Sequence, residues 1–295
     1  MSAHLHPSVR KYLELSDEQR IARILGEKWI GYPTAHRILE KLEFLFAHPK
    51  KFRMPNYLII GDTNNGKTSL IRHFESKHPQ QDNPAGENSH IPVLVIQAPP
   101  VPHEGRFYDV ILNKLNAPGQ TVRSRHSDHR QFQVLTLFRL IGLRVLIIDE
   151  IQHIIAGRKL DQRNFLNTIK SLGNDLQIPI VGVGTNEALN AIGTDPQLAN
   201  RFEPVRLPRW DMGTEFRSLL GSFERLLPLK KPSGLANREI ASKLLGMIDG
   251  SIGALSEILS SAAIYAINTK SESITVKVLQ SIAWVSPSER RRKVS

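Results

Sequence analysis

Five short apolar runs punctuate the first two-thirds of the chain: Tyr57-Leu58-Ile59-Ile60, Val93-Leu94-Val95-Ile96, Val145-Leu146-Ile147-Ile148, Ile180-Val181-Gly182-Val183-Gly184 and Pro204-Val205-Arg206-Leu207-Pro208. Runs with little polar alternation suit parallel strands covered on both faces. Between them the period becomes helical. Ile38, Leu39, Leu42, Leu45 and Phe46 follow Thr34, a candidate N-cap, and stop at Pro49. Phe107 to Leu115, Phe132 to Ile141, and the stretch bearing Phe165, Ile169 and Leu172 predict further helices. Strands alternating with helices predict an α/β fold with a five-stranded parallel sheet.

Beyond Trp210 the strand signal stops. Phe216, Leu219, Leu220, Phe223 and Leu226 form one helical stripe, followed by Ile240, Leu244, Met247 and Ile248, then Ile252, Leu255, Leu259 and Ala263, then Val278, Ile282 and Val285. These predict a small all-helical domain. Leu13, Leu15, Ile21, Ile24 and Leu25 are scattered through a polar start that reads as an appendage, and Arg290-Arg291-Arg292-Lys293 reads as a mobile basic tail. The expected divisions are an N-terminal arm or helix at 1–28, an α/β domain at 29–209, a helical domain at 210–287 and a tail at 288–295.

Composition changes this picture in two ways. The 295 residues contain no cysteine, which excludes disulfides and thiolate chemistry and predicts a reducing interior. Lys and Arg total 39 against 28 Asp and Glu, a net charge of +11, which concentrates polyanions and makes nucleic acid the leading partner. No apolar run approaches membrane-spanning length and the start has no signal-peptide core, so neither export nor a membrane is expected.

The chemistry is concentrated after two strands. Gly61-Asp62-Thr63-Asn64-Asn65-Gly66-Lys67-Thr68 fits the phosphate-loop pattern G-x-x-x-x-G-K-[ST] between a strand and a helix start. Its glycines let backbone N–H groups turn inward at a helix N-terminus and favour a polyphosphate, Lys67 would reach the β- and γ-phosphates of a nucleotide, and Thr68 would offer a hydroxyl to Mg2+. Asp149 and Glu150 end the third apolar run. There Asp149 would hold Mg2+ through water, and Glu150 would polarise the attacking water.

Around them, Thr185 and Asn186 end the fourth run and are able to orient the water or touch the γ-phosphate, or simply to make a turn. Gln97, ending the second, is either a partner that holds Glu150 inactive or an ordinary strand-end amide. Arg201, just before the fifth run, either extends into a neighbouring subunit's site or pairs with Glu203 or Asp195. Arg123, Arg125 and Arg130 lie in one basic stretch and Lys159 in another, each a candidate for sequence-tolerant contact with duplex phosphates. Neither zinc spacing nor a G-x-S-x-G nucleophile motif is present.

These parts together resemble an AAA+ ATPase, and more closely the TniB/TnsC transposition ATPases related to MuB. The resemblance rests on Gly31-Tyr32-Pro33, on Arg53 through Thr68, on Leu146-Ile147-Ile148-Asp149-Glu150-Ile151-Gln152-His153, on Ile178 through Thr185, and on Asn200-Arg201-Phe202-Glu203-Pro204 with Leu207-Pro208-Arg209-Trp210. It implies an AAA+ fold with a helical lid, ATP and Mg2+ as cofactors, and Tyr32, Pro33 and Ser69 beside the phosphate loop. It makes Thr185 sensor 1 and Arg201 the candidate finger. It further implies a homo-oligomer, ring or helical filament, on double-stranded DNA in the bacterial cytoplasm. The implied partners are a DDE transposase and a target selector. The lid opening Gly250-Ser251-Ile252-Gly253-Ala254-Leu255 lacks the sensor 2 arginine common in AAA+ proteins, so hydrolysis is expected to be slow or partner-controlled. The alternatives are a nucleotide-gated scaffold without turnover, another DNA-associated AAA+ ATPase of initiator or loader type, and a small-molecule P-loop kinase, for which Arg209 is the one nearby candidate for a catalytic arginine.

Overall fold

The computed structural model describes residues 3–82, 89–117, 127–155, 158–193 and 199–292. In chain order the first elements are α1 (Pro7–Arg10), a 3-10 turn (Lys11–Glu14), α2 (Asp17–Leu25), α3 (Pro33–Ala47), β1 (Asn56–Gly61), α4 (Lys67–Lys77), β2 (Val93–Gln97), α5 (Glu104–Lys114) and α6 (Ser127–Leu140). Next come β3 (Val145–Asp149), α7 (Gln152–Ile155), α8 (Lys159–Leu176), β4 (Ile180–Gly184), α9 (Asn186–Gly193) and β5 (Phe202–Leu207). The chain then runs through α10 (Thr214–Leu226), α11 (Arg238–Ile248), α12 (Ile252–Asn268), α13 (Val276–Ser281) and α14 (Pro287–Arg292). Two compact units result: Arg37–Thr63 with Lys67–Leu207, and Met1–His36 with Asn64–Gly66 and Pro208–Ser295.

The first unit is α/β. Its five strands lie in the order β2-β3-β4-β1-β5, every pairing parallel. All five residues of β3 and of β4 are buried, as strands covered on both faces must be. Phe107, Phe138 and Phe165 from three helices close over Leu146 and Ile148 of β3. β5 begins at Phe202 rather than at Pro204 as the apolar run suggested, and Pro204 pairs in register with Leu58. An edge strand tolerates proline because an N–H that faces outward is not missed by the ladder. At the other edge the Val95 N–H of β2 donates to Glu75 of α4 (3.3 Å). The helices α5 and α6 begin at Glu104 and Ser127, upstream of Phe107 and Phe132, because polar first turns carry no hydrophobic period; His103 caps α5 by accepting from the Arg106 N–H (3.4 Å).

The second unit is helical, and it corrects three expectations. The described part of the segment read as an appendage, residues 3–28, packs into it: Leu5, Val9 and Ile24 are buried, and the His6 N–H donates to the Arg225 carbonyl (2.9 Å). Of the apolar positions Leu13, Leu15, Ile21, Ile24 and Leu25, Leu25 alone is exposed, at 68%. Thr34 is not an N-cap. Pro33 takes the first helical position, where its missing N–H costs nothing, and both the N–H and hydroxyl of Thr34 donate to Glu215 (2.8 and 2.7 Å). The tail is helical through Arg292, held by the Ser288 N–H on Asp249 (2.8 Å) and by Arg290 stacked over Trp284.

Arg20 ties this unit together. Its side chain is fully buried and its guanidinium donates to Glu272 (2.9 Å), to the Pro228 carbonyl (2.8 Å) and to Asp17 (3.1 Å). Burial pushes the Glu272 carboxyl up, but hydrogen bonds from Arg20 and the Lys230 N–H outweigh it and hold Glu272 below its usual value. Among the described residues no single helix is long and apolar enough to cross a membrane; α11 and α12 reach that length only as a pair bent by 117°.

Candidate nucleotide site

The C-terminal ends of β1, β3 and β4 lie side by side, with β4 between the other two, so the residues just beyond each strand share one rim. After β1 the chain turns through Asn64 (φ 61°) and Gly66 (φ 81°) and enters α4 at Lys67. Asparagine and glycine are the residues that hold the left-handed region at least cost. Lys67 is only 5% exposed, and its ammonium donates to the carbonyls of Gly61 (2.7 Å) and Asp62 (2.8 Å). Burial lowers its pKa, against the pull of Glu150, Asp149 and Asp62. An incompletely compensated buried cation is suited to a phosphate. Ser69 is exposed on the first turn of α4.

At the end of β3, Asp149 accepts from the Thr68 hydroxyl through one carboxylate oxygen (2.8 Å) and from the Glu150 N–H through the other (2.9 Å). A hydroxyl and a carboxylate oxygen at that separation are the hard donors Mg2+ takes, so the set fits the metal. Glu150 is half-buried with left-handed backbone (φ 54°), which turns its side chain back along the rim. Its carboxylate accepts from the Gln152 side chain. Gln97, the amide offered for that role, stands exposed at the end of β2. Sequence reading missed Gln152 because a pair two residues apart meets only when the backbone between them leaves the regular helix or strand; Glu150 in the left-handed region is that break. Thr185 is half-buried after β4; its N–H donates to Gln152 (3.3 Å), and its hydroxyl is buried without a partner among the described residues.

Asn64–Gly66 group with the helical unit. The Asn64 carbonyl accepts from the Ser251 hydroxyl (2.8 Å) and from the Gly253 N–H (3.0 Å), and the Asn65 side chain donates to the Pro208 carbonyl (2.9 Å). A Cβ on Gly253 would sit 1.8 Å from Asn64 Oδ1, so any larger residue there would have to displace the Asn64 amide. Ser251 and Gly253, at the start of α12, thus meet Asn64 through a hydroxyl and an N–H. Tyr32 and Pro33 belong to the same unit; Tyr32 packs edge-on against Trp210, and burial with Glu215 pushes its hydroxyl up to about 12.

Arg201 precedes β5, at the opposite end of the parallel sheet from the phosphate loop. A strand of that length spans roughly 15–20 Å. The suggested pairing with Glu203 is not made: Glu203 holds Lys41 (2.6 Å), and Arg201 donates to Asn174 (3.3 Å). Burial and the neighbouring Arg53 both lower the Arg201 pKa. Arg130 is engaged with Asp109 (3.1 Å), Lys159 is exposed at the start of α8, and Arg123, Arg125 and Asp195 lie outside the described residues.

A parallel sheet in this strand order, with a phosphate loop after β1 and an acid pair at the end of β3, defines an AAA+ P-loop ATPase fold. Similar solved structures agree. The Aeropyrum pernix ORC2 protein in its ADPNP–ADP complexes matches with a TM-score of 0.61 and 17% identity over 88% of this chain and 70% of its own. The ORC1 protein of the same organism in complex with DNA gives 0.61 and 15% over 92% and 69%, and Cdc6p from Pyrobaculum aerophilum gives 0.60 and 16% over 88% and 68%. Within that class the chain belongs to the TniB family: the family model described as bacterial TniB protein matches residues 20–212. No curated protein matches the sequence.

Proposed function

We propose that the protein is an ATP-dependent regulator of transposition that oligomerises on duplex DNA, hydrolyses ATP and recruits a DDE transposase. The observation that carries the reading is the convergence of Lys67, Thr68, Asp149 and Glu150 on one rim of the sheet in a chain of the TniB family. Lys67 binds the β- and γ-phosphates, while Thr68 and Asp149 hold Mg2+, which when bound neutralises phosphate charge. Glu150 takes the proton of the attacking water as its oxygen bonds to the γ-phosphorus and the bond to ADP breaks. Thr185 touches the γ-phosphate edge. Arg201, too far along the sheet to serve its own loop, reaches a neighbouring subunit's nucleotide and stabilises the developing charge.

Replacing Glu150 by Gln tests this. With DNA present, kcat for ATP should fall by about 100-fold or more while ATP binding persists. Wild-type turnover in Glu150→Gln would remove the base from Glu150, and an absence of turnover in both proteins would favour a nucleotide-gated scaffold. The complex of the similar ORC1 protein with DNA and the net charge of +11 support the nucleic-acid partner. Replacing Arg123 and Arg125 together by Ala should weaken binding alike on all duplex sequences and flatten the slope of log K against log salt by about 2. An unchanged slope in a titration from low to high salt would place the contact elsewhere.

A further inference from the structure

Both ends of the Gln152 amide are committed. Its nitrogen donates to the Glu150 carboxylate, and its oxygen accepts from the Thr185 N–H (3.3 Å). The amide fits only this way round, because a backbone N–H can only donate and an ionised carboxylate can only accept. The side chain is 8% exposed, and the fold makes room for it: a Cβ on Gly184 would lie 2.6 Å from the Gln152 oxygen. The backbone beside it is tied the same way, with the Ile151 N–H on the Val183 carbonyl (2.9 Å). The ends of β3 and β4 are thus joined twice, once through the main chain and once through this amide. The Thr185 hydroxyl, buried and without a partner among the described residues, belongs to the residue whose N–H the amide holds.

We propose that Gln152 is a positioning residue for Glu150. It occupies one carboxylate oxygen, leaves the other to accept the proton of the attacking water, and couples that carboxylate to Thr185, so that the two rim residues move as one. This rests on the reading of Glu150 as the base. A glutamate on an irregular, left-handed residue has several rotamers available, and a base displaced by an ångström or so loses about 100-fold in rate.

The test uses the full chain with Gln152→Ala and the size-conserving Gln152→Glu, whose ionised carboxylate has no proton to donate. Both should lower kcat by roughly 10- to 100-fold while the affinity for a non-hydrolysable ATP analogue stays within about twofold. Amide hydrogen exchange supplies a readout independent of turnover: in Gln152→Ala the Thr185 N–H loses its acceptor and should exchange about tenfold faster. In a Glu150→Gln background, changing Gln152 should reduce turnover no further. Unchanged or increased kcat in both Gln152 variants, or unchanged exchange at Thr185, would overturn the inference while leaving Glu150 as the base if Glu150→Gln is inactive. If Glu150→Gln itself turns over ATP like the wild type, the base assignment falls and this inference falls with it.

Discussion

Lys67→Ala should lose at least about 100-fold in ATP affinity, because two charge-assisted hydrogen bonds to phosphate at roughly 1.5–3 kcal/mol each are removed. The ammonium is placed for this. It is 5% exposed, bound at its base by the carbonyls of Gly61 and Asp62, and lowered in pKa by burial, so an incoming polyphosphate meets a desolvated cation rather than a hydrated one. The second consequence is loss of ATP-dependent assembly on duplex DNA. Titration with a fluorescent ATP analogue checks the first, and electron microscopy with DNA and a non-hydrolysable analogue checks the second. Affinity within tenfold of wild type, or nucleotide-dependent filaments from the variant, would remove the loop from its assigned role.

Arg20→Ala should destabilise the helical unit by about 3–5 kcal/mol, the usual cost of stranding one member of a buried ion pair. Glu272 would be left 6% exposed without its guanidinium, and the Pro228 carbonyl without its donor. Urea unfolding at neutral pH measures the loss. Its pH dependence is set by the direction of the Glu272 shift. The folded carboxyl titrates below its ordinary value of 4.5, so the pair stabilises fully above that pH and loses its contribution as pH falls through the lower, folded value. The gap between wild type and Arg20→Ala should therefore narrow on acidification below about pH 4. Replacing Arg20 and Glu272 together by Met and Leu should recover most of the loss. If Arg20→Ala unfolds within about 1 kcal/mol of wild type, the N-terminal segment is not held as described.

Much of this molecule is legible without coordinates because the decisive signals are local. Gly61 to Thr68 and Asp149-Glu150 are each contiguous, and strands β1 to β4 are apolar enough to announce themselves. The hidden parts depend on long separations or on backbone exceptions. Arg20 looks like any surface arginine until Glu272, far along the chain, folds against it. Gln152 meets Glu150 only through a left-handed residue, so Gln97 looked equally eligible. Phe202 opens β5 ahead of the run read as a strand because the exposed Glu203 and Pro204 separate it from the buried Val205 and Leu207. Thr34 carries the favoured cap chemistry, yet its donors serve Glu215 while proline begins the helix.

The two edges of the sheet limit how it can meet other chains. On β5, Pro204 has no N–H to offer, and on β2 the Val95 N–H is already taken by Glu75, itself held by Arg72 (2.7 Å). An extended peptide adding itself as a further strand would find a gap at one edge and a competing carboxylate at the other. Contacts between this unit and any other chain are therefore left to side chains more than to added strands. That confines specificity to surface residues able to change without disturbing the hydrogen-bonded sheet beneath them, and leaves little backbone template on which misassembled strands could propagate.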